Sequence, residues 1–155
     1  MFNPPRPEID DDIRQKAAER FIRKFPDIQE QYDESEIINQ LVSASRWADD
    51  GYGMAKELEI CFSWQMDFNT VEELDSFNSF VRTALEAAEK AWAEENRIQP
   101  PLATGTKITY KRGWEQKTGE ISGIYKFWPA CYTIQEDGAP SNMSAVLKYE
   151  DVQAV

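Results

Sequence analysis

The sequence predicts an α+β protein: a mainly helical N-terminal part over residues 1–98, a linker over 99–105 and an antiparallel β part over 106–155. Three observations predict it. Apolar residues recur at three and four positions through much of the first hundred residues, the spacing of a half-buried helix. After position 105 they alternate in short runs broken by glycine and proline, the spacing of strands and turns. Between the two lies Gln99-Pro100-Pro101-Leu102-Ala103-Thr104-Gly105, a linker by composition.

Residues 1–9 are proline-rich and extended, because Pro4, Pro5 and Pro7 cannot sit inside a helix. Asp10, Asp11 and Asp12 open a first helix, where negative charge suits the positive end of the helix dipole. Ile13, Ala17, Phe21 and Phe25 line its buried face, and Pro26 ends it. Asp33 and Glu36, at capping-box spacing, start a second helix with Ile37, Leu41, Ala44 and Ala48 inside. Asp49-Asp50-Gly51 stops it.

Leu58, Ile60, Phe62, Trp64, Met66 and Phe68 then fall on every second position, which predicts a long strand over 57–68. Its backbone groups need a partner. A hairpin with Arg46–Tyr52 or pairing within the later sheet is expected ahead of pairing between chains. In an alternative architecture the whole chain is one α+β domain, with this strand in the later sheet and a helix packed across it. Thr70 and Glu73 mark a capping box, and Val71, Leu74, Phe77, Val81, Ala84, Leu85, Ala88 and Trp92 line a long helix over 71–95.

After the linker, Lys107–Arg112 alternates and reads as a strand, and Gly113–Thr118 reads as a loop. Gly119–Phe127 is a second strand, in which Gly123 predicts a bulge or bend. Ala130–Gln135 is a third and Ala145–Tyr149 a fourth, with Glu136–Pro140 turning the chain between them. The order is a Gly-led strand (Gly105-Thr106-Lys107-Ile108), a loop, and a second Gly-led strand (Gly119-Glu120-Ile121). A strand with a central aromatic (Tyr132-Thr133-Ile134) and a closing turn (Tyr149-Glu150-Asp151-Val152) follow. That order resembles an SH3-like barrel of the KOW and Tudor kind, over about a third of the chain. The resemblance implies a small, strongly bent sheet that binds peptides, nucleic acid or other proteins.

Composition narrows the function. The chain has no histidine, which removes the commonest general base and metal ligand, so no enzyme, metal or cofactor is expected. No phosphate loop, CxxC, HExxH or GxSxG occurs. Cys61 and Cys131 are expected as free, packed thiols, and Asp10–Asp12 as helix caps rather than a cation site. No apolar run spans a membrane, and residues 1–7 have no signal pattern, so a cytoplasmic protein is expected, in the host cell if phage-encoded.

The net charge of −11 lies wholly in residues 1–100, with 22 acidic side chains against 11 basic ones. Such a surface repels nucleic acid, which is not expected to bind this part directly, and attracts a protein with a basic face. Glu72, Glu73, Asp75, Glu86 and Glu89 are the expected acidic contacts, with Glu72, Asp75, Glu86 and Glu89 on exposed helix faces. In the β part, Trp114, Tyr125 and Trp128 stand among six aromatics within 23 residues and are the expected aromatic contacts.

The expected function is therefore non-enzymatic protein binding, in which carboxylates occupy a basic nucleic-acid-binding surface. In composition the chain is similar to phage-encoded inhibitors of host defence, such as anti-CRISPR and anti-restriction proteins. The alternative is an SH3-like module that binds nucleic acid or peptide in a housekeeping complex. The sequence leaves the oligomeric state open.

Overall fold

A computed structural model describes residues 3–155. Among them run α1 (Asp11–Lys24), α2 (Glu34–Ser45), α3 (Gly51–Phe62), α4 (Phe68–Asp75) and α5 (Phe77–Glu95). The strands follow: β1 (Lys107–Arg112), β2 (Glu115–Ile124), β3 (Cys131–Glu136), β4 (Ala145–Lys148), a 3-10 turn at Tyr149–Asp151, and β5 (Val152–Ala154). The protein is α+β, with helices first and an antiparallel sheet last. It divides into two compact units, one of Pro7–Ala88 and one of the residues up to Arg6 with Glu89–Val155. The division falls inside α5, whereas 99–105 is an irregular loop.

In the helical unit, α1 buries Ile13, Ala17, Ala18, Phe21 and Ile22, and α2 buries Ile37, Leu41, Val42 and Ala44. Asp10 caps α1 by accepting the Ile13 N–H at 2.9 Å. Phe21 is the centre of an aromatic group, with Phe25, Phe77 and Phe80 rings 4.9, 5.3 and 5.7 Å away. Such pairs contribute beyond their buried area.

The strand predicted over 57–68 is not formed. Gly51–Phe62 is helix α3, residues 63–67 are an irregular connection, and Phe68 opens α4. Asp49-Asp50-Gly51 is therefore a start and not a stop. The Asp50 carboxylate accepts the Gly53 N–H, and this cap sets a helical register that buries Gly51, Met54, Ala55 and Leu58. Ile60, inside the alternating run, is 77% exposed. Glycines are tolerated in the first turn, where N–H groups have no helical partner. Gly51 is also needed there: a Cβ would stand 2.5 Å from the Asp75 nitrogen and 2.6 Å from the Val71 oxygen. Ser63, in the left-handed region at φ 56°, ends α3.

The long helix expected over 71–95 is broken at Ser76 into α4 and α5. Its cap is not the Thr70–Glu73 pair. Asp67 takes that place, accepting both the N–H and the hydroxyl of Thr70, at 2.7 and 2.8 Å. Asp33 occupies the N-cap position of α2 but makes no side-chain capping bond.

The sheet has the order β4-β3-β2-β1-β5 and curls as half a barrel. Alternation places Ile108, Tyr110, Ile121, Tyr132, Ile134 and Val152 in one core, with Leu102, Ala145, Leu147 and Tyr149 against it. The loop predicted over 113–118 is shorter. Gly113 and Trp114 alone make the turn, with Gly113 at φ 63°, and Glu115–Thr118 belong to β2. The β2–β3 register shifts between Ile121 and Gly123, the irregularity that Gly123 predicts.

Candidate functional site

The acidic surface belongs to the helical unit. Pro7–Ala88 carries 19 Asp and Glu against 8 Lys and Arg, a net of −11. The other unit carries 9 against 9. Of the 19 carboxylates, 16 are exposed and three half-buried. Among the described residues, cations pair with two of them: Arg14 and Arg46 with Asp11, and Lys16 with Asp12. The Arg46 guanidinium holds the Asp11 carboxyl below its ordinary pKa. Asp67 sits low because it accepts the Thr70 backbone and hydroxyl donors.

The five predicted acidic contacts do not form one set. Glu72 and Glu86 are exposed as expected. Asp75 is exposed but also accepts the Gly51 N–H at 2.9 Å, tying the start of α3 to α4. Glu73 is half-buried and lines a polar groove of about 540 Å³ with Asp27, Glu30 and Asp67. Burial, then the charges of Asp67 and Asp27, raise its pKa. No group of three or more His, Cys, Asp or Glu among the described residues is placed to hold a metal ion.

Glu89 corrects the expectation of exposure outright: it is fully buried, at 0%. Position 89 lies four after Leu85 and three before Trp92, within the buried stripe of α5, so the helical period places it inside. Its carboxylate accepts the Trp128 indole N–H and, at 3.3 Å, Arg6 Nη1–H. One predicted acidic contact and one predicted aromatic contact therefore bond to each other.

Arg6 is the residue that sequence reasoning missed. Its guanidinium makes five hydrogen bonds. Nε donates to Glu150 Oε1 at 3.0 Å and Nη2 to Glu150 Oε2 at 3.1 Å. Nη1 donates to Glu89 and to the Pro129 carbonyl at 3.0 Å, and Nη2 to the Ala130 carbonyl at 2.9 Å. The guanidinium carbon stands 4.9 Å from the Trp92 ring centroid. Burial works to lower the Arg6 pKa, but the Glu150 hydrogen bond and the charges of Glu150 and Glu89 outweigh it, and the value is raised. The available signal was an arginine between two prolines, Pro5 and Pro7.

Ala130 holds φ 52°, a conformation that costs a non-glycine residue about 1–2 kcal/mol. Its carbonyl also accepts the Tyr149 N–H at 3.1 Å. Cys131 is a buried thiol whose pKa burial raises, and it contacts the Pro129 carbonyl at 3.5 Å. Cys61 is exposed on α3, contrary to the packed thiol expected, because a helix turns it to solvent.

The aromatic contacts divide as well. Trp114 is fully exposed at the β1–β2 turn. Tyr125 is half-buried and meets the Phe127 ring edge-on at 5.6 Å, and Phe127 is 86% exposed. Ile98, Pro100, Ile124, Tyr125, Phe127 and Trp128 line a largely apolar groove of about 860 Å³. Among the described residues, no helix is long and apolar enough to cross a membrane. No protein-family model, curated protein or solved structure matches the chain.

Proposed function

We propose that the protein is a non-enzymatic binding protein whose acidic helical unit docks on a basic, nucleic-acid-binding surface of another protein. The confinement of the whole net charge of −11 to the compact unit Pro7–Ala88 carries this proposal. Sixteen exposed carboxylates on one small unit give a potential that a neutral surface lacks, and it reaches about 8 Å into physiological salt. The carboxylates stand where phosphates would stand, so bound protein excludes DNA or RNA. An inhibitor of a host defence complex, of anti-CRISPR or anti-restriction character, acts in this way. The tagged chain, incubated with lysate and washed at low and high salt, is expected to retain one basic nucleic-acid-binding protein at low salt and release it at high salt. Recovery of nucleic acid without a dominant protein would contradict the proposal.

The sheet unit supports a second function, that of an SH3-like module for peptide or nucleic acid. What favours it is the exposed Trp114 at a hairpin tip, together with the meander β1-β2-β3-β4 closed by a 3-10 turn and a fifth strand against β1. If the sheet is the docking surface, Trp114→Ala weakens capture and charge reversal on the helices does not.

A further inference from the structure

We infer that the Arg6 socket is a peptide-recognition site for an extended Pro-x-Arg segment, occupied in cis by the chain's own residues 3–6. Three residues of that stretch dock by polar contacts. The Asn3 side chain donates to the Tyr149 hydroxyl at 3.3 Å, the Pro4 carbonyl accepts the Trp92 indole N–H at 3.1 Å, and Arg6 fills the socket. Their partners lie 83 to 146 positions away in sequence. The segment has no helix or strand of its own, so it docks as an extended ligand does. Prolines restrict it before docking, which reduces the entropy lost on binding.

The socket's parts are held by residues outside the segment. The Trp128 indole fixes the Glu89 carboxylate, and the Tyr149 N–H fixes the Ala130 carbonyl. Glu150 presents both oxygens to one guanidinium, a two-pronged geometry that arginine matches and lysine does not. The resident segment also leaves something unused: no donor among the described residues reaches Glu89 Oε1, which is buried. An incoming segment with one more donor there holds an advantage over the resident one. The competing occupant is an exposed Pro-x-Arg segment of a basic partner, an identification that rests on the proposed binding function.

The test uses the full chain and a labelled synthetic peptide of residues 3–8, Asn-Pro-Pro-Arg-Pro-Glu. The Arg6→Ala chain vacates the socket and is expected to bind this peptide more than about tenfold tighter than the wild-type chain does, because no resident arginine competes. Binding should shift the indole N–H resonances of Trp92 and Trp128, and a peptide with alanine for arginine should give neither effect. Thermal melts keep the test decisive if Arg6→Ala folds poorly, since a ligand of the folded state raises Tm or restores folding. Neither binding nor a rise in Tm with the arginine peptide would overturn the inference. Peptide binding without any basic partner in the lysate would overturn only the proposed function; the reverse pattern would overturn only the socket.

Discussion

The two compact units handle charge in opposite ways. Pro7–Ala88 leaves all of its carboxylates at least partly in solvent and pairs few of them. The unit built on the sheet has balanced charge, and it encloses one arginine and one glutamate whose side chains are 7% and 1% exposed. Removing Glu72 or Glu86 from the first relieves repulsion and strands no partner, although Asp50, Asp67 and Asp75 there also hold backbone N–H groups. Removing Arg6 or Glu89 from the second strands its partner away from water. Exposed charge of the helical unit therefore faces solvent, whereas charge at Arg6 and Glu89 connects segments distant in sequence.

The contrast is broken most directly at Glu89. Glu89→Ala leaves Arg6 and the Trp128 indole short of an acceptor and is expected to cost about 3–5 kcal/mol in urea unfolding. Glu89→Gln keeps an acceptor oxygen and is expected to cost less. Equal costs would show that the charge does not matter.

Alkaline pH probes the sheet unit next. Tyr110 donates to Glu136, and burial with that bond raises its pKa from 10.0 to about 12. The fold holds the proton more tightly than the unfolded chain does. The stabilisation is thus full below pH 10 and is lost as pH rises through about 12, about 2–3 kcal/mol in all. Stability measured between about pH 9 and pH 12 should fall more steeply in the wild-type chain than in Tyr110→Phe. Tyr132, also raised by burial, contributes the same sign to both.

A backbone contact gives the comparable weak point of the helical unit. Gly51→Ala drives a Cβ against the backbone of Val71 and Asp75 and is expected to cost about 1–3 kcal/mol, read as a lower Tm. An unchanged Tm would mean that the α3–α4 contact yields freely. Smallest of all, Glu72→Lys with Glu86→Lys is expected to alter stability by no more than about 0.5 kcal/mol.

Much of the fold was legible where burial follows a simple period. α1 and α2 show their buried faces at three and four, and β1 and β4 show theirs at two. The error at 57–68 arose because the alternating run starts midway through α3, and its first turn carries two glycines that read as a stop. The cap at Asp50, four residues before the first buried apolar side chain, Met54, decides the register. Site residues were legible only as far as exposure was. Glu72, Glu86 and Trp114 face solvent as their surroundings suggest. Glu89 sat on the apolar stripe of its helix, and its charge masked that position. Arg6 had no local signal for its partners, because Glu89 and Glu150 lie 83 and 144 positions away.

The most direct measurement compares partner affinity for the wild-type chain and for Glu72→Lys with Glu86→Lys, each at low and at high salt. If the acidic unit is the docking surface, reversal weakens low-salt binding by at least about tenfold, flattens the salt dependence and leaves the fold intact. Unchanged low-salt affinity, with binding lost instead in Trp114→Ala, would contradict it.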